Sequence, residues 1–299
     1  MAKRFPKLLA LCGVLFLSNP AGSAESPPLA GVAYSPSNVQ TETQAAFAAA
    51  ATLNKLRADL APLKALTPRI RTYSVDNGLD QVVPVAKALG LKVSVGIWLG
   101  RDATKNGPEI DRAVATIKAN PGTVDRVFVG NETLVRHDLG ESALRAYMGR
   151  VKSALEGLNI EVGTAEPWNN WIDNPKLAER ADFIGAHIFP YWDGVPEAEA
   201  TAYVTRRYKE LQAAFPNKKI VIAETGWPAA GPQYKGAIPS PAAQARYVKE
   251  FARVAAAARY DYYICEAYDQ PWKAAREGGV IGAAWGIMDA NLRAKFPLR

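Results

Sequence analysis

Two glutamates stand where apolar runs end: Glu132 after Val127-Phe128-Val129-Gly130-Asn131, and Glu224 after Ile220-Val221-Ile222-Ala223. A carboxylate at the tip of a buried strand is costly unless it is paired, hydrogen-bonded or open to a cleft. Two such acids facing one another can divide the work of breaking a glycosidic bond. One holds a proton for the leaving oxygen, and the other attacks carbon or activates water. An ion pair or a loop cap is the competing role for each Glu taken singly. Asn131, next to Glu132, is placed to hydrogen-bond a sugar hydroxyl near the reacting carbon.

The elements that must position these acids are eight short apolar runs, at 29–34, 69–74, 91–98, 126–132, 160–165, 182–188, 220–224 and 261–268. Helical patterns separate them at 41–61, 76–89, 109–119, 142–158, 197–215 and 242–258, with a short one at 176–180. Alternating strand and helix signals without a composition break predict an α/β fold, a (β/α)8 TIM barrel forming a single domain over residues 25–299. A doubly wound sheet is the alternative, but no G-x-G-x-x-G or phosphate-binding loop follows any run. In a barrel the site lies at the C-terminal ends of the strands. The fourth and seventh runs are then nearly opposite, so Glu132 and Glu224 can point at one another across the mouth.

The same rim collects aromatic and polar side chains: Tyr34, Tyr73, Trp98, Glu166, Trp168, His187, Tyr191, Trp192, Trp227, Glu266 and Trp272. Flat apolar rings with polar edges suit the faces of sugar rings. Each Trp has the alternative of packing beneath a loop, and His187 that of a satisfied structural histidine. Glu166 and Glu266 are the next candidates for a catalytic acid, each with the competing role of a hydrogen-bonding support. His137 reads as a solvated loop residue.

Composition sets the outer limits. With 299 residues, 48% hydrophobic and 22% charged, the chain is an ordinary globular protein. Residues 1–24 carry Lys3, Arg4 and Lys7, then an apolar run, then Ala21-Gly22-Ser23-Ala24, the three-part pattern of a secretory signal peptide. Its apolar run falls short of the ~20 residues that span a bilayer. An exported protein, periplasmic or extracellular and without a membrane anchor after cleavage, is expected. Cleavage would remove three basic residues and no acidic one, reducing the formal net charge from +7 to +4. That charge, with no Lys/Arg-rich run, gives no reason to expect nucleic acid as a partner. Cys265 alone remains after cleavage and reads as a buried thiol. Two histidines and one cysteine supply neither a zinc site nor a triad, so no metal or cofactor is expected.

Val129-Gly130-Asn131-Glu132 and Glu224-Thr225-Gly226-Trp227-Pro228 resemble the two signatures of glycoside hydrolase family 17, the β-1,3-glucanases and glucanosyltransferases. Gly31-Val32-Ala33-Tyr34, Arg71-Thr72-Tyr73-Ser74, 181–187 and 266–273 are similar to further family blocks. The resemblance implies a retaining double displacement on β-glucan, with Glu132 as general acid/base and Glu224 as nucleophile. Retention implies carboxyl groups about 5–5.5 Å apart. Glu132 is then expected to have a raised pKa, through burial and the charge of Glu224. Tyr34, Tyr73, Asn131, Trp168, His187, Tyr191, Trp227, Asp269, Trp272 and Lys273 are the expected substrate-binding residues, and Asp269 and Lys273 also match the family block. That block, with 279–289 and Lys295-Phe296-Pro297, is most similar to bacterial members, several of which resemble transferases. A β-glucan oligosaccharide or polysaccharide is the expected partner, and a monomer the expected state. A non-catalytic glucan-binding barrel of the cell envelope is the alternative function.

Overall fold

The computed structural model describes residues 29–298. The signal peptide expected at 1–24 lies outside them. Eight parallel strands close into a barrel in sequence order: β1 Val32–Ala33, β2 Arg69–Arg71, β3 Lys92–Ile97, β4 Val124–Asn131, β5 Glu161–Pro167, β6 Phe183–His187, β7 Lys219–Thr225 and β8 Asp261–Ile264. Closure runs through Val32 of β1, which pairs with Ile70 on one side and Ile264 on the other. The (β/α)8 expectation is met. Strands β3, β6 and β7 are buried almost throughout, as strands covered by helices outside and by side chains inside must be.

The barrel interior is filled by Phe128, Ala165, Phe183, Val221, Ala223 and Tyr263. Phe128 meets Phe183 edge-on at 5.1 Å and Tyr263 at 5.9 Å. Gly163 gives Phe183 its room, since a Cβ there would lie 2.8 Å from the ring. Below this layer, at the N-terminal end, Arg126 is 2% exposed and bonds Asp261 at 2.7 Å, Glu161 at 2.8 Å and the Tyr263 hydroxyl at 3.0 Å. Burial works to raise the Asp261 carboxyl, but Arg126, Arg69 and Lys219 outweigh it and bring it to about 2. The charges close the floor, leaving the opposite end for the site.

The helices are α1 Gln44–Ala50, α2 Leu53–Leu63, α3 Val82–Leu89, α4 Ala103–Ala119, α5 Glu141–Ala154, α6 Trp168–Asp173, α7 Glu197–Ala214, α8 Pro241–Ala258 and the single turn α9 Val280–Ala283. Two departures from expectation have local causes. The pattern at 41–61 is two helices, because Thr52 is extended and starts a new helix. Its second half alone buries a face, through Leu56, Leu60 and Leu63. The third helical pattern begins earlier than 109, at Ala103, where the Asp102 carboxylate caps the Thr104 amide. Gly107-Pro108 looks like a stop but is accommodated within α4. Among the described residues no helix is long and apolar enough to cross a membrane.

Candidate active site

Both glutamates reach the C-terminal mouth. β4 ends at Asn131, and the chain then turns through Glu132, which has φ +54°. Gly130 makes the turn feasible, with φ +84° and no Cβ to collide with the Thr133 hydroxyl. Behind the loop, buried Glu166 of β5 accepts the Leu134 amide at 2.8 Å and the Val135 amide at 3.4 Å. Arg136 donates to the Asn131 carbonyl and stacks over Trp98 at 4.2 Å. The Glu132 loop is thus held from three sides. Gly130→Ala is expected to lower the melting temperature by several degrees, from about 1–2 kcal/mol of left-handed strain plus the Thr133 contact. Misplacing Glu132 would also reduce kcat/KM by roughly 10–100-fold. Thermal melts and steady-state kinetics on the same preparation check both.

Glu224 sits near the end of β7, 7% exposed, in register with His187 of β6. Arg71, fully buried at the end of β2, donates to Glu224 Oε1 at 2.5 Å, to the Ala223 carbonyl at 3.0 Å and to Asn131 Oδ1 at 2.6 Å. Its guanidinium lies between the rings of Phe128, at 4.4 Å, and Tyr73, at 4.9 Å. One cation therefore fixes Glu224 and Asn131 together. Sequence reasoning missed this role, although Arg71 belongs to the Arg71-Thr72-Tyr73-Ser74 block that is similar to the family's. The available signal was an Arg inside a short barrel strand, where a charge must find a buried partner.

His187 lies between the two acids. Its Nδ1 is 2.8 Å from Glu132 Oε1, and its Nε2 is 3.3 Å from Glu224 Oε1, in ion-pair range but off the line of a hydrogen bond. A single imidazole spans the gap between the carboxylates, so they share one small space. This arrangement corrects the expectation for Glu132. Burial does raise its carboxyl, but the hydrogen bond and charge of His187, with Arg136 and Arg71, outweigh it and hold it below the ordinary glutamate value.

The acids open into a cleft of about 840 Å³. Tyr34, Phe47, Tyr73 and Trp272 line it from the β1, β2 and β8 loops, and Tyr191, Trp192, Tyr234 and Trp285 from the β6, β7 and β8 loops. Trp192 is 46% exposed and stacks on Trp285 at 6.0 Å. Lys273 also lines the cleft and pairs with fully buried Glu266 at 2.7 Å. Burial pushes the Glu266 carboxyl up to about 7, despite Lys273. Burial, with the charges of Glu224 and Glu266, likewise raises the Cys265 thiol.

Of the expected site residues, Tyr34, Tyr73, Asn131, Glu132, Tyr191, Glu224, Trp272 and Lys273 come together on this cleft. Four do not. Trp227 has no exposed surface and packs against Tyr191 and Tyr247 behind the barrel wall. Trp168 is covered by the Arg207 guanidinium at 4.1 Å. Asp269 accepts the Gly286 amide at 3.0 Å and Lys295 at 2.8 Å, which ties down the loop after β8. His187 is 2% exposed and committed to carboxylates rather than to a sugar. The arrangement can deliver a nucleophile and a proton-transfer group to a flat, polar-edged substrate held by aromatic rings.

Known proteins share the sequence pattern and the fold. A probable glucan endo-1,3-beta-glucosidase btgC of Aspergillus fumigatus is 28% identical over 274 residues, covering 82% of this chain and 40% of its own length. The chain thus spans well under half of that relative. Glucan 1,3-beta-glucosidase BGL2 of Candida albicans is 27% identical over 260 residues, covering 80% of this chain and 84% of its own. The crystal structure of a glycoside hydrolase family 17 beta-1,3-glucanosyltransferase from Rhizomucor miehei superposes with a TM-score of 0.78 at 26% identity, covering 91% of this chain and 97% of the other. With the model of the BtgE/BtgC glycoside hydrolase domain matched over residues 31–286, the chain belongs to that family, within the wider family 17-like glycoside hydrolases.

Proposed function

We propose that this protein is a retaining enzyme acting on β-1,3-linked glucan. Glu224 is the nucleophile and Glu132 the general acid/base. In the first displacement Glu224 bonds to the anomeric carbon while the glycosidic C–O bond breaks, and Glu132 gives its proton to the departing oxygen. In the second, water or a sugar hydroxyl bonds to that carbon, the ester to Glu224 breaks, and Glu132 takes the incoming proton. The observation that carries this reading is the placement of both carboxylates against one imidazole at the floor of an aromatic cleft. Asn131 and Arg71 orient Glu224, while Tyr73, Trp272 and Lys273 contact the sugars; Tyr34 and Tyr191, 2% and 1% exposed with their hydroxyls on Asp59 and the Pro232 carbonyl, form the wall behind them.

The names of the fungal relatives support a β-1,3-glucan substrate, and the Rhizomucor enzyme supports transfer beside hydrolysis. The exposed Trp192 face, backed by Trp285, favours transfer, because a stacked sugar competes with water for the intermediate. The bacterial subtype rests on the 268–273 block. Removal of residues 1–24 and export of residues 25–299 as a monomeric catalytic domain, free of the membrane, complete the reading. Laminari-oligosaccharides of defined length, separated by mass after incubation, test it. Both shorter and longer products are expected, and the absence of any length change would reject the enzyme in favour of a glucan-binding barrel.

A further inference from the structure

The ring between the acids has a consequence for their proton chemistry, resting on the assignment of Glu132 as acid/base. A neutral imidazole has one N–H, and with it on Nδ1 the ring donates to Glu132 and leaves a lone pair on Nε2, whereas the protonated ring carries an N–H on both nitrogens. Charged groups reach Glu132 from every element around it. His187 comes from β6, Arg71 from β2 and Arg136 from its own loop; the carboxylates are Glu166 of β5, Glu224 of β7 beyond the imidazole, and Glu277 after β8. Among these groups, His187 makes the direct contact, at 2.8 Å, from a ring that water scarcely reaches.

We propose that His187 is a positioning residue for the proton chemistry of Glu132. Its Nδ1–H holds Glu132 in the proton-accepting form that the second displacement requires, and it confines proton donation in the first displacement to acidic solution. The direction of the Glu132 shift agrees: burial alone would raise the carboxyl, and the His187 contact leads the contributions that lower it. The sign follows. The first displacement needs protonated Glu132, so kcat/KM is lost as pH rises through the Glu132 pKa. With His187 present that limb lies at acidic pH; without it, burial and the neighbouring carboxylates carry the limb upward.

The test is the pH profile of kcat/KM on a laminari-oligosaccharide for wild type, His187→Gln and His187→Asn. The basic limb of the variants is expected to move up by about one pH unit or more. Variants that lose activity while the limb stays in place would overturn the inference and leave His187 a structural prop. Were wild type inactive on the oligosaccharide at every pH, the functional reading would fall and this inference with it; an active wild type with unmoved variants rejects the inference alone. Carbon-13 carboxyl NMR of wild type, with the Glu132 signal identified by its loss in Glu132→Gln, gives a check that needs no His187 variant. Glu132 is expected to titrate below ordinary glutamate, and titration above it would reject the proposal.

Discussion

Glu224→Gln is expected to abolish turnover, lowering kcat by at least about a thousandfold on any β-1,3-glucan. The amide is isosteric but cannot form a glycosyl ester, so the loss is chemical. The fold should survive the exchange. Arg71 keeps its bonds to the Ala223 carbonyl and Asn131, and a Gln oxygen can still accept from it. Calorimetry should therefore show a cooperative transition, and oligosaccharide binding by titration should persist near the wild-type affinity. A variant that retains most of its activity would mean that another group attacks carbon.

Glu132→Gln should lower kcat/KM on unactivated oligosaccharides by about 10²–10⁴-fold, the usual worth of a positioned proton-transfer group. Its signature is the dependence on leaving group. With a dinitrophenyl laminaribioside, whose departing oxygen needs no proton, the first displacement should proceed almost normally and the second should stall. A burst followed by slow turnover is the expected trace. An equal loss on both substrates would place Glu132 outside the proton chemistry. The comparison separates it from Glu224, whose removal should silence both substrates alike.

The pair of acids was legible because each closes an apolar run whose burial on both faces marks a barrel strand. The eight runs and their spacing likewise carry the barrel, since each helix–strand unit must bury its apolar face on the next. Helix starts were less legible: Gly107-Pro108 resembles a break, and α1, which buries no residue, carries no face to read. Trp227 was misassigned because strict alternation along β7 turns it to the same side as Val221 and Ala223, which fill the barrel. The register shift between Ile222 and Thr225 reverses that alternation, so Thr225 bonds the Tyr247 hydroxyl of α8 and Trp227 packs on the same ring. Arg71 and His187 were not legible in their roles. Whether an Arg or a His on a strand end meets a sugar or a carboxylate depends on three strands meeting at once, which no local pattern encodes. The lowered pKa of Glu132 follows from the same juxtaposition, and sequence reasoning that weighed only burial and Glu224 gave it the wrong sign.

The central claim is that Glu224 becomes covalently bound to the sugar. Wild-type enzyme treated with a 2-deoxy-2-fluoro laminaribiosyl fluoride, which slows the second displacement, should gain one glycosyl mass, and peptide mapping should place it on the fragment carrying Glu224. A label on any other residue, or an unlabelled enzyme that goes on cleaving glucan, would contradict the account.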